Sequence, residues 1–241
     1  MMHYRGCSGV PNLKPRGYHS GETGDPSFFL DWLNQKFPQL PKVAVGFSLG
    51  GNMLLKLLGE NPAQKWLNAA IAISSPLKLS ECAKSINHGF SRVYQKYLLN
   101  SIKTTLRKKM SFIDYRKLIQ LTGDDVDGIS SFAQFDEKVT APLHGFEDAN
   151  DYYEKCSAYH FLSAIHCPTL VLHSIDDPFM NHLVVPKEEE LARNVTLELS
   201  ERGGHVGFMQ GSVFSPKVWL HERVKRYVSD VLPINPTTPY V

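Results

Sequence analysis

The sequence predicts an α/β fold, a mostly parallel sheet with helices on both faces, and three observations carry that expectation. Short apolar runs rich in β-branched residues recur at 42–47, 69–74, 169–173 and 195–200. Segments of helical periodicity separate them, the rhythm of strand–helix units rather than of an all-β or all-α domain. Between the first run and the helix after it stands Gly46-Phe47-Ser48-Leu49-Gly50, a GxSxG pattern in the strand-to-helix setting that a sharp elbow requires.

Each element follows from local pattern. Phe28, Phe29, Trp32, Leu33 and Phe37 form the expected apolar face of a first helix, which Pro38 and Pro41 close before the strand at 42–47. The Leu- and Gly-rich stretch 49–59 reads as a helix ending at Gly59 as a C-cap, and 69–74 as the next strand. The interval 77–167 interrupts the rhythm with helical pattern. Its first part, 77–117, holds ten Lys or Arg against two acids, and its second, 119–160, nine Asp or Glu against two lysines, so the halves are expected to face each other or water. Strands at 169–173 and 195–200 follow, then a last helix over 217–231 and a loose tail at 235–241.

The 241 residues, 42% apolar and 21% charged, are enough for a full hydrophobic core, which excludes a disordered chain or a stapled miniprotein. A net charge of +2 exerts no pull toward nucleic acid, so no nucleic-acid partner is expected. Cys7, Cys82, Cys156 and Cys167 form neither a CxxC nor a Cys/His cluster, so the expectation is reduced thiols in the cytoplasm, with no metal and no organic cofactor. The N-terminus lacks the apolar stretch of a signal peptide, and no run approaches the ~20 apolar residues of a membrane span.

The chemistry centres on Ser48. A sharp turn from strand to helix forces strained backbone angles on the serine, and small residues at Gly46 and Gly50 let the chain pass close. Ser48 Oγ is then exposed at a helix N-terminus, where backbone N–H groups and the helix dipole favour a developing oxyanion. A serine hydroxyl needs a base at neutral pH, and histidine serves because its pKa lies near working pH. His205 lies in Gly203-Gly204-His205-Val206-Gly207, after the fourth run and before the last helix. His173 and His182 are weaker candidates. The acid belongs beyond a late strand, where Asp176 and Asp177 stand side by side; Asp177, directly before its turn, is preferred, and Asp176 is expected to order the turn by hydrogen bonding to backbone.

Several stretches together resemble the YheT-type α/β-hydrolases, the branch that includes eukaryotic α/β-hydrolase domain lipases and esterases. They are Arg5-Gly6-Cys7-Ser8-Gly9, Tyr18-His19-Ser20-Gly21-Glu22-Thr23, Gly46-Phe47-Ser48-Leu49-Gly50-Gly51-Asn52, Gly89-Phe90-Ser91-Arg92-Val93-Tyr94, Asp176-Asp177-Pro178-Phe179 and Gly203-Gly204-His205-Val206-Gly207-Phe208. The resemblance implies an α/β-hydrolase fold with Ser48, Asp177 and His205 as catalytic triad. It also divides the chain into a core part at 1–76, a helical cap at 77–160 over an acyl pocket, a second core part at 161–234 and the tail. Such proteins begin with three further strands and a His-Gly loop that gives an oxyanion N–H. Here Met1 falls on what resembles the fourth strand, so 2–5 is expected to be a strand without its usual neighbour, and the oxyanion hole to keep Leu49 and lack its partner.

The expected function is hydrolysis of a carboxylic ester of short or medium acyl length through an acyl-enzyme on Ser48, with a small ester or lipid-like molecule as substrate. Phe90, Tyr94, Tyr97, Leu98 and Leu99 suit an apolar acyl pocket. Two alternatives stay open: a lipase or acyltransferase acting on glycerides, and a catalytically impaired binding protein on a hydrolase fold.

Overall fold

The computed structural model describes residues 1–212 and 214–232. The elements before the insertion are α1 (Gly24–Lys36), β1 (Val43–Phe47), α2 (Leu49–Glu60) and β2 (Ala69–Ile73). The helical insertion holds α3 (Leu79–Ser85), α4 (Ser91–Met110), α5 (Tyr115–Ile119), α6 (Gly123–Gly128), α7 (Phe132–Phe135), α8 (Ala141–His144) and α9 (Ala149–Cys156). After it come β3 (Thr169–Ser174), β4 (Val195–Ser200), the hairpin β5 (Met209–Ser212) and β6 (Ser215–Val218), and α10 (Trp219–Val231).

Strands β1 to β4 form one parallel sheet in chain order, with Phe47 beside Ile73, Ile73 beside Leu172 and Ser174 beside Ser200. Alternation along the two central strands explains why both faces carry helices. Ala70, Ala72 and Val171 join α1 and α2 in one core, while Ile71, Ile73, Leu170 and Leu172 join Phe208, Leu220 and Val224 beneath α10. β1 is an edge strand among the described residues, and Val45 and Phe47 on it stay exposed. The insertion has its own core, built on Leu99, Leu106, Tyr115, Leu121, Val126, Ile129 and Val139. A smaller cluster of Leu79, Tyr152, Tyr153 and Cys156 reaches Leu49 at the start of α2.

Four expectations are corrected. Residues 1–4 form no strand, because no ladder stands beside them among the described residues; Tyr4 stacks instead on Tyr18 at 4.8 Å and Arg5 pairs with Asp25. The inward stripe of α1 runs through Pro26, Leu30 and Leu33, and Phe28 and Trp32, each two residues from Leu30, fall about 200° away and face outward. Gly59 is no cap: α2 continues to Glu60, and a Cβ at Gly59 would stand 2.4 Å from the Phe161 carbonyl, so the glycine admits the 3-10 segment Ala158–Ala164. The last helix begins at Trp219, since Ser215–Val218 pairs with Met209–Ser212 as an antiparallel hairpin whose turn side includes Gly211 at φ +91°. The tail 235–241 lies outside the described residues.

Charge in the insertion divides between contact and solvent. Arg107 pairs with Asp127, and Lys103 Nζ donates to the Asp127 and Ile129 carbonyls at 2.9 and 2.8 Å, joining α4 to α6. Lys117 with Asp114 and Lys155 with Asp151 pair locally instead. No helix among the described residues is long and apolar enough to cross a membrane.

Candidate active site

Parallel pairing places the C-terminal ends of β1, β3 and β4 on one edge of the sheet, where crevices of open α/β sheets form. Ser48 follows β1, Asp177 lies three residues past β3, and His205 lies in the loop after β4.

Ser48 has φ 50° and ψ −122°, a strained conformation for a residue with a Cβ. Its N–H donates to the Ile73 carbonyl at 2.8 Å, and its own carbonyl accepts from Gly51 at 2.9 Å and Asn52 at 3.1 Å, which locks the elbow between β2 and the first turn of α2. The glycines show why the turn closes. A Cβ at Gly46 would stand 2.4 Å from the Gly50 carbonyl oxygen, and one at Gly51 would stand 1.9 Å from Ser75 Oγ. At Gly50 the nearest atom would be Tyr4 Oη at 4.0 Å, so Gly51, and not Gly50, is the second tight position. Leu49 and Gly50 open the helix, and their N–H groups have no intrahelical acceptor.

The structure brings Asp177 and His205 together. Asp177, with its side chain almost wholly buried, accepts from His205 Nδ1 at 2.8 Å and from the Phe179 N–H at 2.9 Å through its other oxygen. Asp176 does more than order its own turn: it accepts from the Gly203 and Gly204 N–H groups at 2.9 and 2.8 Å and from the Ser174 hydroxyl, tying the acid loop to the histidine loop. The Ser174 hydroxyl, followed by those two N–H groups, holds the Asp176 carboxyl below its ordinary range. Gly204 takes φ +57°, and a Cβ at Gly203 would meet the Phe208 ring at 2.6 Å, so both glycines are built into this loop. Among the described residues no hydrogen bond joins Ser48 Oγ to His205. His173 is buried on β3, and burial pushes its pKa down; His182 is exposed on a short 3-10 turn, and among the described residues neither joins Asp177 and His205 in a hydrogen bond.

Aromatic rings carry the site toward the insertion. Phe179 lies 4.4 Å from the His205 ring and 5.3 Å from Tyr94, and Tyr94 meets Phe90 at 5.8 Å. Ser91 Oγ donates to the Pro178 carbonyl, fixing the start of α4 on the acid loop. Leu99, by contrast, is spent in the core of the insertion, while Tyr97 and Leu98 are exposed. A cleft of about 540 Å³ lined by Met110, Phe112, Tyr115 and Leu121 lies at the other end of α4, ~30 Å along a helix of 20 residues, and so is remote from this site.

Asn52 is a residue whose part the sequence reading missed. Fully buried, it donates to the Ser20 and Cys156 carbonyls at 2.9 and 2.8 Å and accepts from the Ala158 N–H at 2.8 Å, fastening the N-terminal segment and the base of the insertion to α2. Its place in the motif was visible, but its partners lie 32 to 106 residues away.

Comparison with known proteins agrees with this architecture. The family model described as "alpha/beta hydrolase fold" matches residues 1–212. The "Putative esterase YheT" of Escherichia coli (strain K12) is 44% identical over 232 residues, which are 96% of this chain and 68% of that protein. The chain belongs to the YheT-type α/β-hydrolases. Other relatives of this α/β-hydrolase are more distant: "Monoacylglycerol lipase ABHD2" of Danio rerio is 30% identical across 92% of the chain, and "Phospholipase ABHD3" of Bos taurus 28% identical across 96%. The chain spans 56% of the length of each. Among solved structures, an α/β fold family hydrolase from Bacillus anthracis str. Sterne superposes with a TM-score of 0.53 at 16% identity, covering 95% of this chain and 80% of that one, a likeness of fold. The relatives place the chain among esterase- and lipase-type hydrolases.

Proposed function

We propose that this α/β-hydrolase cleaves carboxylic esters of short or medium acyl length through an acyl-enzyme on Ser48. The observation that carries the reading is the strained Ser48 on the same sheet edge as the hydrogen bond between buried Asp177 and His205. His205 takes the Ser48 proton as Oγ attacks the ester carbonyl, and returns it to the departing alcohol oxygen. Water, deprotonated by the same imidazole, then releases the acid and restores Ser48. Asp177 holds Nδ1 protonated, so that Nε2 is the basic nitrogen, and stabilises the imidazolium. The Leu49 N–H at the start of α2 bonds to the oxyanion, and no metal or organic cofactor enters the reaction.

In this reading 77–160 acts as a cap, and Phe90, Tyr94 and Phe179 form the apolar wall on which the acyl chain lies. The small net charge supports a small ester or lipid-like substrate over nucleic acid, and the four unbridged cysteines support a cytoplasmic setting. Hydrolysis of p-nitrophenyl esters of graded acyl length, lost in Ser48→Ala, tests the reading; turnover that survives Ser48→Ala overturns it.

A second reading is a lipase or acyltransferase acting on glycerides, favoured by the names of the ABHD2 and ABHD3 relatives. Glycerol competing with water for the acyl group distinguishes the acyltransferase.

A further inference from the structure

Among the described residues, three buried side-chain oxygens have no hydrogen-bond partner: Tyr4 Oη, Ser74 Oγ and Ser75 Oγ. Two of them border the Ser48 elbow, and the third belongs to the residue after Ile73. Ser75 Oγ lies over Gly51, Ser74 follows the Ile73 carbonyl that takes the Ser48 N–H, and Tyr4 Oη lies 4.0 Å from where a Gly50 Cβ would stand. Buried polar atoms are nearly always paired, so an unpartnered hydroxyl at this turn is a donor not used by the fold.

Tyr4 differs from the two serines in what holds it. Its ring stacks on Tyr18 at 4.8 Å, and its neighbour Arg5 is tied by two hydrogen bonds to Asp25 on α1. The hydroxyl is therefore fixed beside the first turn of α2, where the Leu49 and Gly50 N–H groups have no intrahelical acceptor. Burial, followed by Tyr18 and Cys7, pushes the phenol well above its ordinary pKa, so the oxygen keeps its proton and remains a donor.

Resting on the acyl-enzyme reading, we propose that Tyr4 is a catalytic residue: its Oη–H donates to the substrate carbonyl oxygen as Ser48 attack makes that oxygen anionic, alongside the Leu49 N–H. The phenol proton stays on Tyr4, no covalent bond to it forms, and the hydrogen bond is released when the carbonyl re-forms.

The test is Tyr4→Phe, which removes one oxygen and keeps the stacked ring. The expected result is kcat for a p-nitrophenyl ester lower by about 10²-fold with KM changed less than about threefold, in line with loss of one oxyanion donor. Affinity for a trifluoromethyl ketone that adds to Ser48 as a tetrahedral hemiketal falls by a similar factor, and the melting temperature is unchanged or higher because a buried orphan is gone. A purely structural Tyr4 would leave kcat and ketone affinity within threefold of the parent, or lower both only with loss of folded protein; either result overturns the proposal. Ser48→Ala separates the two readings. Ester turnover that survives Ser48→Ala refutes the acyl-enzyme itself, whereas an inactive Ser48→Ala beside a fully active Tyr4→Phe removes Tyr4 alone.

Discussion

Replacing Asp177 by Asn changes one contact in the site and keeps the rest. Asparagine has the same shape, and its carbonyl oxygen can still accept from the Phe179 N–H at 2.9 Å. Its NH2 group then faces His205 Nδ1 at 2.8 Å, and a donor facing Nδ1 requires that nitrogen to be the acceptor. The imidazole proton moves to Nε2, the nitrogen that must accept from Ser48. The expected loss is about 10⁴-fold in kcat, or ~5 kcal/mol of transition-state stabilisation. Folding should change by only about 1 kcal/mol, because each oxygen-side contact keeps a complementary partner. Initial rates on p-nitrophenyl esters, with urea unfolding of the same preparations, measure both quantities. Asp176→Asn is the matched control: its side chain can still accept from Gly203 or Gly204, and kcat should fall less than tenfold. A folded Asp177→Asn within tenfold of the parent, or an Asp176→Asn as impaired as Asp177→Asn, refutes the assignment of the acid.

Three further outcomes follow from the packing around the site. Gly46→Ala drives a Cβ into the Gly50 backbone and should cost about 3 kcal/mol or more, whereas a Cβ at Gly50 reaches only ordinary contact with Tyr4 Oη at 4.0 Å, so Gly50→Ala should unfold like the parent; equal urea midpoints for the two would contradict the geometry of the elbow. Asn52→Leu strands the Ser20 and Cys156 carbonyls and the Ala158 N–H and should destabilise by roughly 3 kcal/mol or more, which chemical denaturation checks. His19 is buried against His144, Glu22, Arg16, Lys56, Tyr152 and Cys156, and burial first, then His144, lowers its pKa to about 4. The unfolded chain therefore takes up a proton below about pH 6.5 that the folded chain refuses until about pH 4. Stability should fall across that window by up to ~3 kcal/mol, and His19→Gln should flatten the slope; an unchanged slope would show that His19 does not set it.

What the sequence made legible, and what it hid, divides along local and long-range physics. The four strands of the sheet, the helix after Ser48 and the helical insertion were readable, because each rests on periodicity or a run of β-branched residues within one segment. The direction of α1 was not: its aromatics suggested an inward face, but the neighbour that selects a face, here α2 against Leu30, is set by tertiary packing. Gly59 carried a cap signature, yet the cause of that glycine is the Phe161 backbone 102 positions away. The hairpin of β5 and β6, Met209–Val218, was missed because its strands are short and exposed, with no alternating apolar pattern. At the candidate site, strand ends and glycines single out Ser48, Asp177 and His205 as candidates, and the Asp177–His205 contact is seen in the structure. The contribution of Asp176 to the histidine loop, the staple at Asn52 and the orphan hydroxyl of Tyr4 could not be read from the sequence, since each is a contact between distant segments without a local spacing to announce it.

The central claim is a nucleophilic Ser48 activated by His205, and covalent labelling tests it most directly. The chain is treated with a fluorophosphonate, digested, and the peptides weighed by mass spectrometry. The expected product is one phosphonyl adduct, on Ser48 in the peptide that contains Gly46-Phe47-Ser48-Leu49-Gly50, formed far more slowly in His205→Ala and absent in Ser48→Ala. A folded parent that stays unlabelled at Ser48, or labelling at the same rate in His205→Ala, would contradict it.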